Sequence, residues 1–255
     1  MHSMSTAAAN RVPQIVLLYW IIKIASTTLG ETGADMFSMT LDLGYGMTIT
    51  IFMSLFLVLL GIKLSLRRYD PLLYWSVFTA SAIVGTGISD FIDRTLGLGY
   101  ATGSAFLIMT LLAILALWYI KERSISVDNI RTTAGEVYYW LAFLVANTLG
   151  TAAGDYLADG LDIGFLDSAV MISGLLAITA LLKFYTNTST VFLFWVAFVL
   201  TRPFGATFGD LLTKPATNGG LDLGTIAASA LFATILSLSL VKELQLERRR
   251  RMEKV

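Results

Sequence analysis

The sequence predicts an all-α integral membrane protein: eight transmembrane helices, built as four parallel two-helix repeats, with the odd-numbered helices at the centre. Three observations carry this. Apolar residues make up 56% of the chain and charged residues 14%, with a mean hydropathy of +0.72, whereas a water-soluble domain holds about 25% charged residues. A tryptophan, a glycine ten residues on and an aspartate five further recur four times: Trp20, Gly30, Asp35; Trp75, Gly85, Asp90; Trp140, Gly150, Asp155; Trp195, Gly205, Asp210. Each copy lies in an apolar run with room for two membrane crossings of about 20 residues.

Taken in order, the apolar runs place spans at 13–36 and 45–64, 72–93 and 101–120, 136–158 and 166–185, and 190–212 and 225–243. In the second copy, Leu72 to Ile120 holds two spans and a turn near Arg94 to Gly99. The runs are too long and too poor in alternation for strands. The repeats are bounded at 13–66, 70–123, 133–187 and 188–243, and a basic tail follows at 244–255; together they make one membrane domain. The copies are spaced by 55, 65 and 55 residues. The extra residues fall in Lys121 to Glu136, which reads as a linker between two halves. Two spans per copy bring every copy in from the same side, so an axis along the membrane normal relates them as a pseudo-fourfold ring. The N-terminal MHSMSTAAANRVPQ lacks a basic region followed by a cleavable apolar core, so the first apolar run reads as helix 1.

Lysine and arginine set the orientation. The tails and even-to-odd loops carry Arg11, Lys63, Arg67, Arg68, Lys121, Arg123, Arg131, Lys183, Lys242, Arg248 to Arg251 and Lys254, while the odd-to-even turns carry only Arg94 and Lys214. Basic loops stay in the cytoplasm, so both termini are expected there. The outer turns hold Asp42, Asp93, Asp159, Asp162, Asp167 and Asp222. That acidic mouth would concentrate cations; it is equally well an ordinary solvated rim. The Arg248 to Arg251 run reads as a topology anchor that also meets anionic membrane lipid. The repeated tryptophans, each starting an odd helix, read as an aromatic belt. Met36, Met39 and Met47 read as packing rather than a soft-metal site.

Steps of four residues hold one helical face. On the odd helices these steps give Lys23, Thr27, Glu31, Asp35; Ala82, Thr86, Asp90; Asn147, Thr151, Asp155; and Arg202, Ala206, Asp210. Lipid does not tolerate such faces, so they are expected to point inward. Small residues four apart, Gly30 and Ala34, Gly85 and Ser89, Gly150 and Gly154, Gly205 and Gly209, let the backbones approach. An aspartate follows each second small residue, late in its helix. The helix dipole disfavours a carboxylate there by a few tenths of a kcal/mol to about 1. Four at one depth repel unless cations, protons, or the in-span Lys23 and Arg202 offset them. The expected arrangement has Lys23 and Arg202 neutralising Glu31 and Asp210 where the first and last repeats meet. Pro203 lies inside a span, and the longer outer turn Thr213 to Gly220 reads as a lid or a tolerated insertion.

The chain has no cysteine and one histidine, His2. Thiolate metal sites, haem ligation and imidazole zinc sites are thereby excluded. No copy pairs a nucleophile with a base, so enzyme activity is not expected. The formal net charge is zero, and no nucleic-acid partner is expected.

The segments YWIIKIASTTLGETGAD, YWSVFTASAIVGTGISD, YWLAFLVANTLGTAAGD and FWVAFVLTRPFGATFGD resemble those of a bacterial membrane-protein family built from tandem copies of a repeat of unknown function. The resemblance covers nearly the whole chain after the first dozen residues. It implies eight spans in the plasma (inner) membrane of a bacterium and lends no substrate.

The residues themselves point to transport of a small cation, a hard divalent metal such as manganese or magnesium, or to a proton-coupled process. Asp35, Asp90, Asp155 and Asp210 would be ligands or proton-exchange groups. Glu31 would assist them, and Asn147, Thr86 and Thr151 would supply neutral oxygens. The metal is substrate, and no resident cofactor is expected. The alternatives are a passive cation channel with an acidic filter and a non-transporting scaffold or sensor.

Overall fold

Eight α-helices make up most of the described residues: α1 (Leu17–Asp35), α2 (Gly44–Leu66), α3 (Pro71–Asp90), α4 (Tyr100–Glu122), α5 (Thr133–Asp155), α6 (Phe165–Tyr185), α7 (Thr190–Thr213) and α8 (Thr225–Met252). This computed structural model describes residues 11–66, 68–127 and 130–252; His2, Arg67 and Lys254 lie outside them. No strand occurs among the described residues. Six helices, α2, α3 with the turn after it, α4, α6, α7 and α8, are long and apolar enough to cross a membrane. By this measure α1 and α5 fall outside the eight expected spans, because buried Lys23, Glu31 and Asp35 lie on α1 and buried Glu136, Asn147 and Asp155 on α5. Helix α8 runs through residues 244–252 instead of giving way to a separate tail there.

Local sequence sets the helix starts. Asp70 accepts a hydrogen bond from Leu73 N (3.0 Å) with Pro71 at the first helical position of α3. Thr132 caps α5 through Gly135 N (2.9 Å) and Ser189 caps α7 through Phe192 N (3.4 Å). Such caps satisfy amide groups that the helix itself leaves unpaired.

The helix ends depart from expectation. α1, α3 and α5 do not stop at their aspartates but continue as π-helical turns, Met36–Thr40, Phe91–Thr95 and Tyr156–Gly160. Each turn is closed by an i to i+5 bond, such as Leu41 N to Met36 O at 2.8 Å. In the fourth copy α7 stays α-helical to Thr213. The aspartates therefore sit one turn inside the helical backbone, and the dipole penalty of a terminal carboxylate does not apply to them in full.

A repeated turn then reverses the chain. Leu41-Asp42-Leu43-Gly44, Leu96-Gly97-Leu98-Gly99, Leu161-Asp162-Ile163-Gly164 and Leu221-Asp222-Leu223-Gly224 share positive φ at their second and fourth positions, with Asp42, Asp162 and Asp222 all at +55°. Aspartate is among the few non-glycine residues that accept this region. Three acids assigned above to an acidic mouth thus have a backbone reason to be there. Gly97→Asp is expected to change stability by less than about 0.5 kcal/mol, whereas Gly97→Val should lose about 1–2 kcal/mol from left-handed strain. Unfolding midpoints of the two variants check this.

The odd helices close a ring: α1 packs on α3, α3 on α5, α5 on α7 and α7 on α1, each pair as closely as the next. The junction of α3 and α5, across the longer connection, is as extensive as the others, so no seam divides two halves. Each even helix lies outside this ring, packed against the odd helix of the following copy: α2 on α3, α4 on α5, α6 on α7, and α8 on α1. It makes few contacts with the odd helix of its own copy.

Glycine sets the ring's register. A Cβ on Gly30 would come 2.5 Å from Ala82 Cβ, one on Gly85 2.8 Å from Asn147 Cβ, and one on Gly205 2.7 Å from Thr27 Oγ1. A Cβ on Gly150 would overlap Arg202 Cβ and Cγ and lie 3.1 Å from its backbone carbon. In every copy the glycine receives the residue that stands seven positions after the next copy's tryptophan. Gly150→Ala is expected to destabilise by about 1–3 kcal/mol through overpacking. Gly174→Ala, with nothing within 4 Å of its added methyl, should not. Thermal unfolding of the pair is the test.

The tryptophans also differ from the aromatic-belt reading. Trp75, Trp140 and Trp195 are buried and Trp20 half-buried, because the even helices cover the ring from outside. They belong to an aromatic core that includes Tyr19, Tyr74, Tyr139 and Phe194, with Tyr74 and Tyr139 sharing a hydroxyl hydrogen bond.

Candidate functional site

Counting from each tryptophan divides the ring interior into layers. Three residues on stand Lys23, Phe78, Phe143 and Phe198; seven on, Thr27, Ala82, Asn147 and Arg202; eleven on, Glu31, Thr86, Thr151 and Ala206; fifteen on, Asp35, Asp90, Asp155 and Asp210. All are buried. The ring brings the predicted residues into one column and assigns them different work.

Glu31 reaches across to all three other odd helices. Its Oε2 accepts hydrogen bonds from Thr86 Oγ1 on α3 (3.1 Å), Thr151 Oγ1 on α5 (3.2 Å) and Arg202 on α7 (3.2 Å). Arg202, fully buried, also donates to the Thr86 hydroxyl and to the carbonyls of Ala82 (3.4 Å) and Thr27 (3.5 Å). Thr86 and Thr151 therefore hold Glu31. Asn147 is one layer below, where its amide donates to Ser81 Oγ at 2.9 Å; its side chain is committed to ring packing rather than to the carboxylates.

Carboxyl oxygens of Glu31, Asp155 and Asp210 lie within 4.8 Å of one another, each from a different helix. Asp35 and Asp90 flank them, tied in by two basic side chains from the far ends of α3 and α7. Lys214 Nζ lies 2.8 Å from Asp35 Oδ2 and 3.1 Å from Asp210 Oδ1. Arg94 lies 3.5 Å from Asp90 and 3.9 Å from Asp155. Each basic residue thus joins its own copy's aspartate to that of the next copy. Burial works against the Lys214 charge, but Asp210 and Asp35 outweigh it and raise its pKa above the ordinary lysine range. Both side chains keep some exposure, 29% for Arg94 and 18% for Lys214, so they stand between the carboxylates and the outside.

The charge pairing expected from the sequence is half right. Arg202 meets Glu31, but Lys23 does not meet a carboxylate among the described residues. It donates to Phe198 O (2.9 Å) and to the Thr201 hydroxyl, with its amine 3.9 Å from the Phe198 ring centre. The reason is axial distance: Lys23 and Glu31 are eight residues apart, about 12 Å along a helix. Arg202 is equally far below Asp210. The group that meets Asp210 is Lys214, placed above in a lid or insertion. Arg94 and Lys214 carried a sequence signal: they stand nineteen residues after their tryptophans and four after Asp90 and Asp210. In the other two copies that position holds Met39 and Asp159, so the outer layer has twofold character within the fourfold ring.

Five carboxylates, Glu31 and the four aspartates, meet three cationic groups, Arg94, Arg202 and Lys214. Several oxygens are left over: both of Asp90, Oδ2 of Asp155 and Oδ1 of Asp210 are buried without a hydrogen bond. Arg94 and Lys214 lie at ion-pair distance from three of them but off hydrogen-bond alignment. Buried carboxylate oxygens in this condition take up a cation or a proton at low cost.

A family model described as Repeat of Unknown Function (DUF347) matches residues 18–69, 73–124, 138–189 and 193–248. No curated protein and no solved structure matches the chain.

Proposed function

The chain belongs to the Repeat of Unknown Function (DUF347) family, and from the site its four copies build we propose a membrane carrier for a small hard cation, a divalent metal such as manganese or magnesium, exchanged against protons. The observation that carries this reading is the convergence of Glu31, Asp155 and Asp210 within a cluster holding two more carboxylates than cations. Two formal negative charges are what one divalent ion or two protons balance. All the oxygens on offer are hard ligands, which suits magnesium and manganese over softer ions.

Two features support a carrier over a passive pore. Below the aspartates the axis is filled by Glu31 and Arg202 with the two threonine hydroxyls, so an ion bound above has no continuous wet path. Above, Arg94 and Lys214 act as tethered cations on the two aspartate pairs and must leave for an ion to enter. Their end of the molecule is taken as the outer face, with the basic loops and both ends of the chain in the cytoplasm of a bacterium.

Lys214→Gln tests the tethered-cation role. A unit charge 4 Å away is worth about 1 kcal/mol even at the dielectric of water, or about fivefold in affinity. The variant is expected to lower the half-saturating concentration of manganese by at least about that factor. Radiolabelled or dye-reported uptake into proteoliposomes measures it. An unchanged or raised half-saturating concentration would remove Lys214 from the gate.

A further inference from the structure

The four contacts between even helices and the ring are not equivalent at the end opposite the aspartates. Counted nineteen residues from the last glycine of each repeated turn, the even helices carry Lys63, Trp118, Lys183 and Glu243. Three of these seal a junction with an odd helix two copies' worth of packing away. Lys63, fully buried, binds Glu136 on α5 at 2.7 Å, and Arg11 binds the same carboxylate at 2.9 Å. Trp118 is buried edge-on against Trp195 of α7, ring centres 6.0 Å apart. Glu243 accepts hydrogen bonds from Trp75 of α3 (2.8 Å) and from the Tyr69 hydroxyl.

The fourth junction, α6 with α1, is different. Where α5 offers Glu136, four residues before its tryptophan, the residue just before α1, Val16, takes that position. Lys183 is exposed, has no carboxylate at ion-pair distance among the described residues, and donates to Thr190 Oγ1 at 2.6 Å. Beside it opens a groove of about 590 Å3, lined mainly with apolar side chains that include Trp20, Ile24, Leu176 and Phe194; Lys183 and its partner Thr190 are among its polar lining residues, with Ser126, Thr179 and Thr201. The volume is that of a ligand site, while its sister junctions are closed by side chains. A mostly apolar slot with a single cationic amine and a few hydroxyls on its walls, at the basic end of a helix ring, complements a molecule with a hydrocarbon tail and an anionic head.

We propose that this groove is a binding site for an anionic phospholipid, with an acyl chain against Trp20 and Phe194 and the phosphate on Lys183 and Thr190. The inference rests on the membrane placement and not on transport. The test uses the full chain in vesicles containing dibrominated phosphatidylglycerol or, at matched mole fraction, dibrominated phosphatidylcholine. Bromine quenches nearby tryptophan, and Trp20 is the half-buried one of the five; the difference between wild type and Trp20→Phe isolates its signal. A lysine at an anionic headgroup is worth about a fivefold preference. Trp20 is therefore expected to be quenched about fivefold more effectively by the brominated phosphatidylglycerol, and Lys183→Gln, an exposed change that spares the fold, should erase the difference. Equal quenching by both lipids, or a preference that survives Lys183→Gln, overturns the site and leaves the membrane placement standing. Trp20 shielded from both lipids while Leu72→Trp, a lipid-facing position on α3, is quenched would mean that protein fills the groove, which also overturns it. No quenching at either position would overturn the membrane placement with it.

Discussion

Asp155→Asn is expected to abolish divalent-cation flux into proteoliposomes, by about 100-fold or more, since even outer partners of metal ligands cost 10–100-fold. Asp155 lies on the axis side of α5, grouped with Glu31 and Asp210, and one of its oxygens is buried without a hydrogen bond. The amide keeps the shape and removes the charge that an incoming ion or proton would meet. Folding should survive, because the substitution relieves repulsion among carboxylates and leaves Arg94 its contact with Asp90. Asp167→Asn, at an exposed position near the start of α6, serves as the control and should transport normally. An internal pH dye in the same vesicles reads proton exchange. Full flux in Asp155→Asn protein of normal elution profile would sink the carboxylate pathway.

Arg202→Met is expected to cost about 3–5 kcal/mol of stability, the usual penalty for leaving one partner of a buried ion pair alone. Arg202 is fully buried and touches Glu31, the Thr86 hydroxyl and two carbonyls on α1 and α3, so its loss strands acceptors on two helices at once. The double variant Arg202→Met, Glu31→Gln should regain most of that loss, because no uncompensated charge remains. Unfolding by detergent titration, read from helical circular dichroism, compares the three proteins. A single variant as stable as wild type, or a double variant no better than the single, would show that the pair does not hold the ring.

Much of this arrangement is legible in the sequence, and the reason is periodicity. The recurrence of tryptophan, glycine and aspartate gives the copy number, and the polar steps of four on the odd helices place those helices inside. Helix boundaries follow from apolar runs; most of those expected lie within a few residues of the helices observed. Partner choice does not follow from these signals. That α2 packs on α3 rather than α1 depends on crossing geometry, which leaves no trace in hydropathy. The π-helical turns after Asp35, Asp90 and Asp155 are a backbone choice among nearly equal alternatives. Linear position puts Lys23 and Arg202 within the spans and Lys214 in an outer turn, which favours Lys23 and Arg202 as partners for the carboxylates, whereas axial layers decide which carboxylate each can reach and bring Lys214 to Asp35 and Asp210. Arg94 and Lys214, the lone basic residues of the outer turns, were visible as exceptions to the charge bias; their purpose becomes clear only beside the aspartates.

The closure of the ring between α7, α8 and α1 carries a consequence for biosynthesis. Helix α1 is translated before the other seven, and it is among the least apolar of the eight, with Lys23, Glu31 and Asp35 on one face. The arginine that neutralises Glu31 follows 171 residues later, and α8, which covers α1 from outside, is made after the other seven helices. Until α7 and α8 follow, α1 is a charged segment without its partners, so in the proposed membrane placement it waits at the insertion machinery or in the bilayer interface. Helix α8 then acts as the clasp that lets it settle.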